Sequence, residues 1–288
     1  MDILDKFIHK EFIEQELKFS ELYQYLDRYR CIDVETLRGS NTKKNESIKE
    51  NHTIWMYWKQ GLENAPGLVQ KCYKSVCRNI PRGFNIILLT EKTLGQYVDL
   101  PDYIWDKYKK GYITTTHLSD IIRLELLCMY GGCWIDATVF CSDTIPLYML
   151  TGDMFMFKLP SVLSNPVLKM SSWWMFSNQS NRLVHLTKRM LYEYWQQERD
   201  IRNYFLLHII MSKLIDEDWE CRDIFNGIPY FNSGNAHVLQ GKLGAEYKEE
   251  DWQIIKNASC VHKLTYKDKY LQGDIYNFYT ALLTDGFI

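Results

Sequence analysis

Residues 119–138 read Ser119-Asp120-Ile121-Ile122-Arg123-Leu124-Glu125-Leu126-Leu127-Cys128-Met129-Tyr130-Gly131-Gly132-Cys133-Trp134-Ile135-Asp136-Ala137-Thr138. Apolar residues first recur at helical steps of three and four, and a Gly-Gly pair then stands where a helix end favours positive backbone φ. The spacing predicts a helix capped at Thr116 or Ser119 and running to Tyr130. The apolar run Cys133-Trp134-Ile135 reads as a short buried strand that delivers Asp136 at its end.

Working outward, Thr53–Trp58 and Phe84–Thr90 read as strands around a helix from Gly67 to Asn79, and Pro101 predicts the start of a short helix. Met154–Phe157 and Trp173–Phe176 read as further strands, and residues 181–198 and 201–215 as helices. Strands alternating with helices predict an α/β fold around a parallel sheet. At the front of the chain Ile3, Phe7, Ile8, Phe12, Ile13, Leu17, Leu22, Tyr25 and Leu26 recur mostly at helical steps. The mixed charge between them suits a packing helix better than a membrane-surface helix. The polar stretch Gly39–Ser47 reads as a linker, so the expected division is a helical extension with linker over 1–50 and a main domain over 51–288.

Composition narrows the class. The 288 residues are 46% hydrophobic and 24% charged, as in soluble folded proteins. A net charge of -2 lacks the excess of positive charge that nucleic-acid binding draws on, so no nucleic-acid partner is expected. Aromatic residues reach 15%, a supply of flat faces of the kind that stack on sugars. Met1-Asp2-Ile3-Leu4-Asp5-Lys6 has no apolar h-region and no run approaches a membrane span, which predicts neither secretion nor insertion. Eight cysteines without a Cys-x-x-Cys read as reduced thiols, and the sequons at Asn45, Asn51, Asn178 and Asn257 read as chance.

Asp136 is the strongest candidate for chemistry, because ligands of open α/β sheets bind beyond the carboxyl ends of the strands. The plainer reading is an Asp that closes a turn on its own backbone. Asp120 and Arg123 lie three apart on one helix face, where Arg can fork to phosphate or to vicinal hydroxyls; the alternative is a local ion pair in the first helical turns. His262-Lys263 places an imidazole beside an ammonium, suited to metal and to diphosphate, though such a pair is also commonplace at the surface. Phe231–Asn235 reads as a polar turn open to a ligand. Gly-x-Gly-x-x-Gly, the P-loop, His-Glu-x-x-His and Gly-x-Ser-x-Gly are all missing from the sequence.

Together, Ile54-Trp55-Met56-Tyr57-Trp58-Lys59-Gln60-Gly61, Ala65-Pro66, Ser119–Arg123, Gly131–Phe140 and His262-Lys263-Leu264-Thr265-Tyr266-Lys267 resemble the bacterial capsular polysaccharide synthesis glycosyltransferases. These are relatives of the "DXD" sugar-binding transferases of glycosyltransferase family 32. The resemblance covers residues 53–267 in matching order. It implies a GT-A-type, Rossmann-like sheet that binds a nucleotide-sugar, here a UDP-sugar. It also implies transfer of a hexose, with retention of configuration, to a saccharide acceptor for capsular or surface polysaccharide. The setting it implies is cytoplasmic, peripheral at the inner membrane face, where the acceptor is lipid-linked.

By position, Trp55, Tyr57 and Trp58 would line the nucleotide pocket, with Lys263 on the donor. Asp120 and Arg123 would hold the donor sugar as members of the catalytic set, and Asp136 would be the first Asp of the DXD element. A divalent cation, Mn2+ or Mg2+, is implied, with Asp136, Thr138 and His262 as its ligands. Thr138 departs from the pattern, since a neutral hydroxyl is a poor substitute for a carboxylate towards a hard cation. A non-catalytic glycan-binding protein on the same fold is the first alternative. A phosphatase with Asp136 as nucleophile is the second, although no Gly-Asp-x-x-Asn-Asp-like segment accompanies it.

Overall fold

The computed structural model describes residues 3–29, 51–159, 167–267, 276–284 and 286, with side chains from residue 14 onward. The expected linker at 39–47, the Asn45 sequon and Cys31 lie outside these residues.

Helix α1 (Ile3–Tyr25) opens the chain and is followed by β1 (Thr53–Tyr57), α2 (Gly67–Asn79) and β2 (Asn85–Leu89). Next come α3 (Asp102–Lys109), α4 (Thr115–Tyr130), β3 (Gly132–Ile135) and β4 (Val139–Cys141). Strands β5 (Met154–Lys158) and β6 (Met170–Ser177) lead into α5 (Arg182–Gln197), α6 (Leu206–Glu217) and α7 (Trp219–Gly227). Helices α8 (Ser233–Lys242) and α9 (Glu249–Ala258), strand β7 (Val261–Lys263) and α10 (Phe278–Leu283) complete it.

The main sheet has the order β2-β1-β3-β6-β5. β2, β1 and β3 run parallel, whereas β6 is antiparallel to both β3 and β5. The fold is therefore α/β with a mixed sheet whose parallel half carries the β1-α2-β2 and α4-β3 units read from the sequence. β4 and β7 form a separate antiparallel pair that had no sequence signal, each being three residues long.

Every residue of β1 and β3 is buried, which explains their unbroken apolar runs. The period of two sorts their side chains between two cores. Trp55, Tyr57 and Trp134 face the layer of α4, α5 and α6, while Ile54, Met56, Cys133 and Ile135 pack with Val76 of α2 and with Val139 and Val261 of the small sheet. The helical N-terminus joins the first layer: Phe19, Leu22 and Leu26 are buried in it, and Lys213 Nζ donates to Asp27 Oδ1 at 2.6 Å. No described helix is long and apolar enough to cross a membrane.

Two helix starts move. The cap of α4 is Thr114, whose hydroxyl accepts from His117 N–H at 3.3 Å, so neither Thr116 nor Ser119 caps it. α6 begins at Leu206 rather than 201, because the Asn203 side chain accepts from Phe205 N–H at 2.9 Å and holds a turn there. Phe231–Asn235 is likewise the start of α8, capped by Asn232.

The Gly-Gly junction is required by contact as well as by φ. Gly131 has φ 65° and Gly132 has φ 91°. A Cβ on Gly132 would stand 2.2 Å from the Thr53 carbonyl oxygen, because Gly132 enters β3 hard against the start of its parallel neighbour β1. Gly132→Ala should therefore cost about 3 kcal/mol or more, or prevent folding. Gly95→Ala, where a Cβ meets nothing within 4 Å, is the control and should stay within about 0.5 kcal/mol. Urea unfolding of both variants measures the difference.

Candidate active site

A cleft of about 510 Å³ opens at the carboxyl ends of β1 and β3. Its floor is Trp134, Asp136 and Thr138. Tyr57, Trp58 and Lys59 form one wall, the first turn of α4 at Thr115 and Thr116 a second, and Lys263, Tyr266 and Lys267 beyond β7 a third.

The period of two that buries Trp134 on the α4 side also sends Asp136 to that side, and Trp134 Nε1 donates to Asp136 Oδ1 at 2.8 Å. Arg123 reaches the same oxygen from α4, with Nη2 3.1 Å away, while its Nη1 donates to Asp120 Oδ1 at 2.9 Å. Its guanidinium lies 4.9 Å above the Trp134 ring and its side chain is only 3% exposed. The other oxygen of Asp136 takes Lys263, whose Nζ is 2.7 Å away and also donates to Thr138 Oγ1 at 2.8 Å. Lys263 is brought 127 residues along the chain by β7. That strand pairs Lys263 with Val139, and Leu264 N–H donates to the Thr138 carbonyl at 2.9 Å.

Asp120, Arg123, Asp136, Thr138 and Lys263 are thus one cluster. Burial pushes the Asp120 carboxyl up to about 6 against the pull of Arg123, with Asp136 adding to the rise. Burial would raise Asp136 too, but Lys263 and Arg123, with the hydrogen bonds from Lys263 and Trp134, hold it below the usual carboxylate range.

Asp120 and Arg123, expected on the donor sugar, lie beneath the floor and not on the cleft lining, and two further expected residues stand outside the cluster. Trp55 is fully buried one pleat below the cleft, its Nε1 donating to the Gly131 carbonyl at 2.9 Å and its ring packed on Tyr97 and Tyr130. Tyr57 and Trp58, nearer the end of β1, do line the cleft. His262 alternates with Lys263 along β7 and so points into the core, with Nε2 2.9 Å from Ser142 Oγ and the ring against Trp252 and Phe140. Burial drives its pKa down to about 3, leaving a neutral core imidazole.

The three residues expected to hold a divalent cation do not converge on one point. His262 is on the wrong side of its strand, Thr138 is neutral and bonded to Lys263, and both oxygens of Asp136 already accept from cations. Among the described residues no three His, Cys, Asp or Glu side chains are grouped to hold a metal. A divalent ion about 4 Å from an ammonium would meet repulsion of about 8 kcal/mol at an effective dielectric of about 20.

The sequence reading passed over several lining residues. The Trp134 tie to Asp136 could have been found from their spacing of two on a strand. Tyr204, 60% exposed at the cleft mouth, and His237 and Gln240 of α8 come from helices or turns remote in sequence and carry no motif.

The chain matches the family described as capsular polysaccharide synthesis protein over residues 4–282. The glycosyltransferase afumC of Aspergillus fumigatus is 28% identical over 115 residues, which are 37% of this chain and 29% of that protein. The O-glycosyltransferase braB of Annulohypoxylon truncatum is 29% identical over 101 residues, 32% of this chain and 24% of that one. The matches thus span less than a third of the length of these relatives. Among solved structures, the PaToxG glycosyltransferase aligns with 78% of this chain and 85% of its own at 12% identity and a TM-score of 0.40, too distant a likeness to build on.

The buried pair sets a pH dependence. Asp120 holds its proton more tightly folded than unfolded, so its contribution is full below the ordinary value of 3.8 and is lost as pH rises towards about 6. Asp136, held down, contributes the opposite slope, lost as pH falls below 3.8. Asp120→Asn should remove the decline between about pH 4 and pH 6, bounded at about 3 kcal/mol. Denaturant unfolding across that range measures both slopes.

Proposed function

The chain belongs to the capsular polysaccharide synthesis protein family, and from that premise we propose that it is a glycosyltransferase whose donor binds in the cleft above Asp136. The observation that carries this reading is the cluster itself: a carboxylate at the carboxyl end of a parallel strand, tied to Arg123 and Lys263 at the floor of a cleft with Lys59 and Lys267 on its walls. Such a cleft favours a ligand rich in negative charge. The names of the related glycosyltransferases support transfer of a sugar, and a sugar nucleoside diphosphate is the donor class that would bring both a sugar and negative charge to this cleft.

In this reading the donor is a UDP-hexose and the acceptor a hydroxyl of a capsular or surface saccharide. Trp58 stands edge-on to Tyr266, with ring centroids 5.2 Å apart, and offers flat faces to a base or a sugar ring. The bond between the anomeric carbon and the diphosphate breaks as the acceptor oxygen bonds to that carbon. With retention on one face, the acceptor proton passes to the departing diphosphate, so no separate base is needed. Lys263 meets the charge developing on the diphosphate, and the positive end of the α4 dipole lies on the same cleft. Asp136 and Arg123 hold Lys263 and the floor in place.

The test is release of UDP from UDP-hexoses by the purified chain, with and without saccharide acceptors. Asp136→Asn, assayed at a temperature where circular dichroism shows it folded, should lower turnover about 100- to 1,000-fold. A fully active Asp136→Asn would refute the assignment. Absence of turnover together with retained glycan binding would favour the carbohydrate-binding reading, which the Trp58–Tyr266 wall also suits.

A further inference from the structure

Lys263 Nζ lies 2.7 Å from Asp136 Oδ2 and 2.8 Å from Thr138 Oγ1, in the space between the first and third residues of Asp136-Ala137-Thr138. In the DXD element that this turn resembles, a second carboxylate would stand at the third residue. Here the second carboxylate is a hydroxyl, and the charge is supplied by the chain. We propose that the Lys263 ammonium takes the place of a divalent cation, so that the donor's nucleoside diphosphate is held without metal.

Several observations converge on this site. Asp136 Oδ1 is engaged by Arg123 and Trp134, which leaves Oδ2 as the oxygen facing the cleft, and Oδ2 is on Lys263. Arg123 cannot serve the donor instead, because its side chain is 3% exposed and its guanidinium is spent on Asp120 and Asp136. Lys263 is 20% exposed and lines the cleft, so it can turn part of its three-donor head to a ligand while keeping Asp136. Its position is fixed by backbone, since β7 pairs Lys263 with Val139 and Leu264 N–H bonds to the Thr138 carbonyl. Asp136 is then a positioning residue for the ammonium rather than a metal ligand.

The inference rests on the donor reading above, and one experiment separates the two. Thermal unfolding and calorimetric titration of the full chain are run with UDP, GDP, CDP and ADP, each in EDTA and in Mn2+ or Mg2+, and with the metals alone. The expected result is a shift for one nucleotide that is the same in EDTA as in metal, and none for metal alone. Lys263→Ala should weaken that nucleotide about ten- to a hundred-fold in EDTA. Thr138→Asp combined with Lys263→Ala, which supplies the second carboxylate and clears the space, should make the remaining affinity depend on Mn2+. A wild-type shift that vanishes in EDTA and returns with Mn2+ overturns the inference and leaves the donor reading standing, as does undiminished affinity in a folded Lys263→Ala. No shift with any nucleotide in either condition overturns the donor reading, and this inference with it.

Discussion

The carboxylate of Asp136 ties the consecutive elements α4 and β3 to a strand 127 residues further along the chain. Arg123 comes to it from α4, Trp134 from its own strand β3, and Lys263 from β7. Burying a guanidinium as deeply as Arg123 costs several kcal/mol unless its charge and hydrogen bonds are met; here two carboxylates and an indole face meet its charge, while Nε is buried with no hydrogen-bond partner among the described residues. The network therefore contributes little net stability. What it contributes is a fixed geometry at the floor of the cleft, since each partner is held by backbone on a separate element.

That geometry depends on how closely β3 approaches β1. With glycine at 131 and 132 the helix α4 can end, reverse and enter the sheet against the Thr53 backbone in two residues. A longer connection would change where Arg123 lies relative to Asp136, since α4 and β3 are rigid on either side. The same short turn leaves Trp134 and Asp136 on the face that α4 covers, and Cys133 and Ile135 on the other. One junction sets both the packing and the charge cluster.

Residues 119–138 made much of this legible, because helical period, a Gly-Gly stop and a buried strand follow one another without a break. The strands of the parallel half and the helices α2 and α5 were legible for the same reason, each carrying its pattern over enough residues, whereas α3 was legible only at its start, from Pro101. β4 and β7 were not, since three-residue strands have too little pattern to stand out, and α7 to α10 are short. His262 and Trp55 show the other limit. Motif position brought both near the site, but strand alternation turned His262 inward beside an outward Lys263, and Trp55 lies one pleat too deep. Position in a motif does not carry the facing direction, which needed the register.

The overall charge of -2 gives no hint of the cleft, whose lining carries lysines 59, 263 and 267 and one carboxylate, Asp136, with Lys59 also paired to Glu91 at 3.4 Å. Local balance explains how such a site remains stable without a ligand. Asp120 and Asp136 offset Arg123 and Lys263, so the buried cluster is close to neutral and the remaining positive potential comes from the more open walls and from the α4 terminus. A carboxylate in place of Thr138 would tip that cluster negative and call for a further cation. Threonine keeps one hydrogen bond to Lys263 without adding charge. The residue that looked like a defect in a metal site is thus the one that suits a site already holding its own cation.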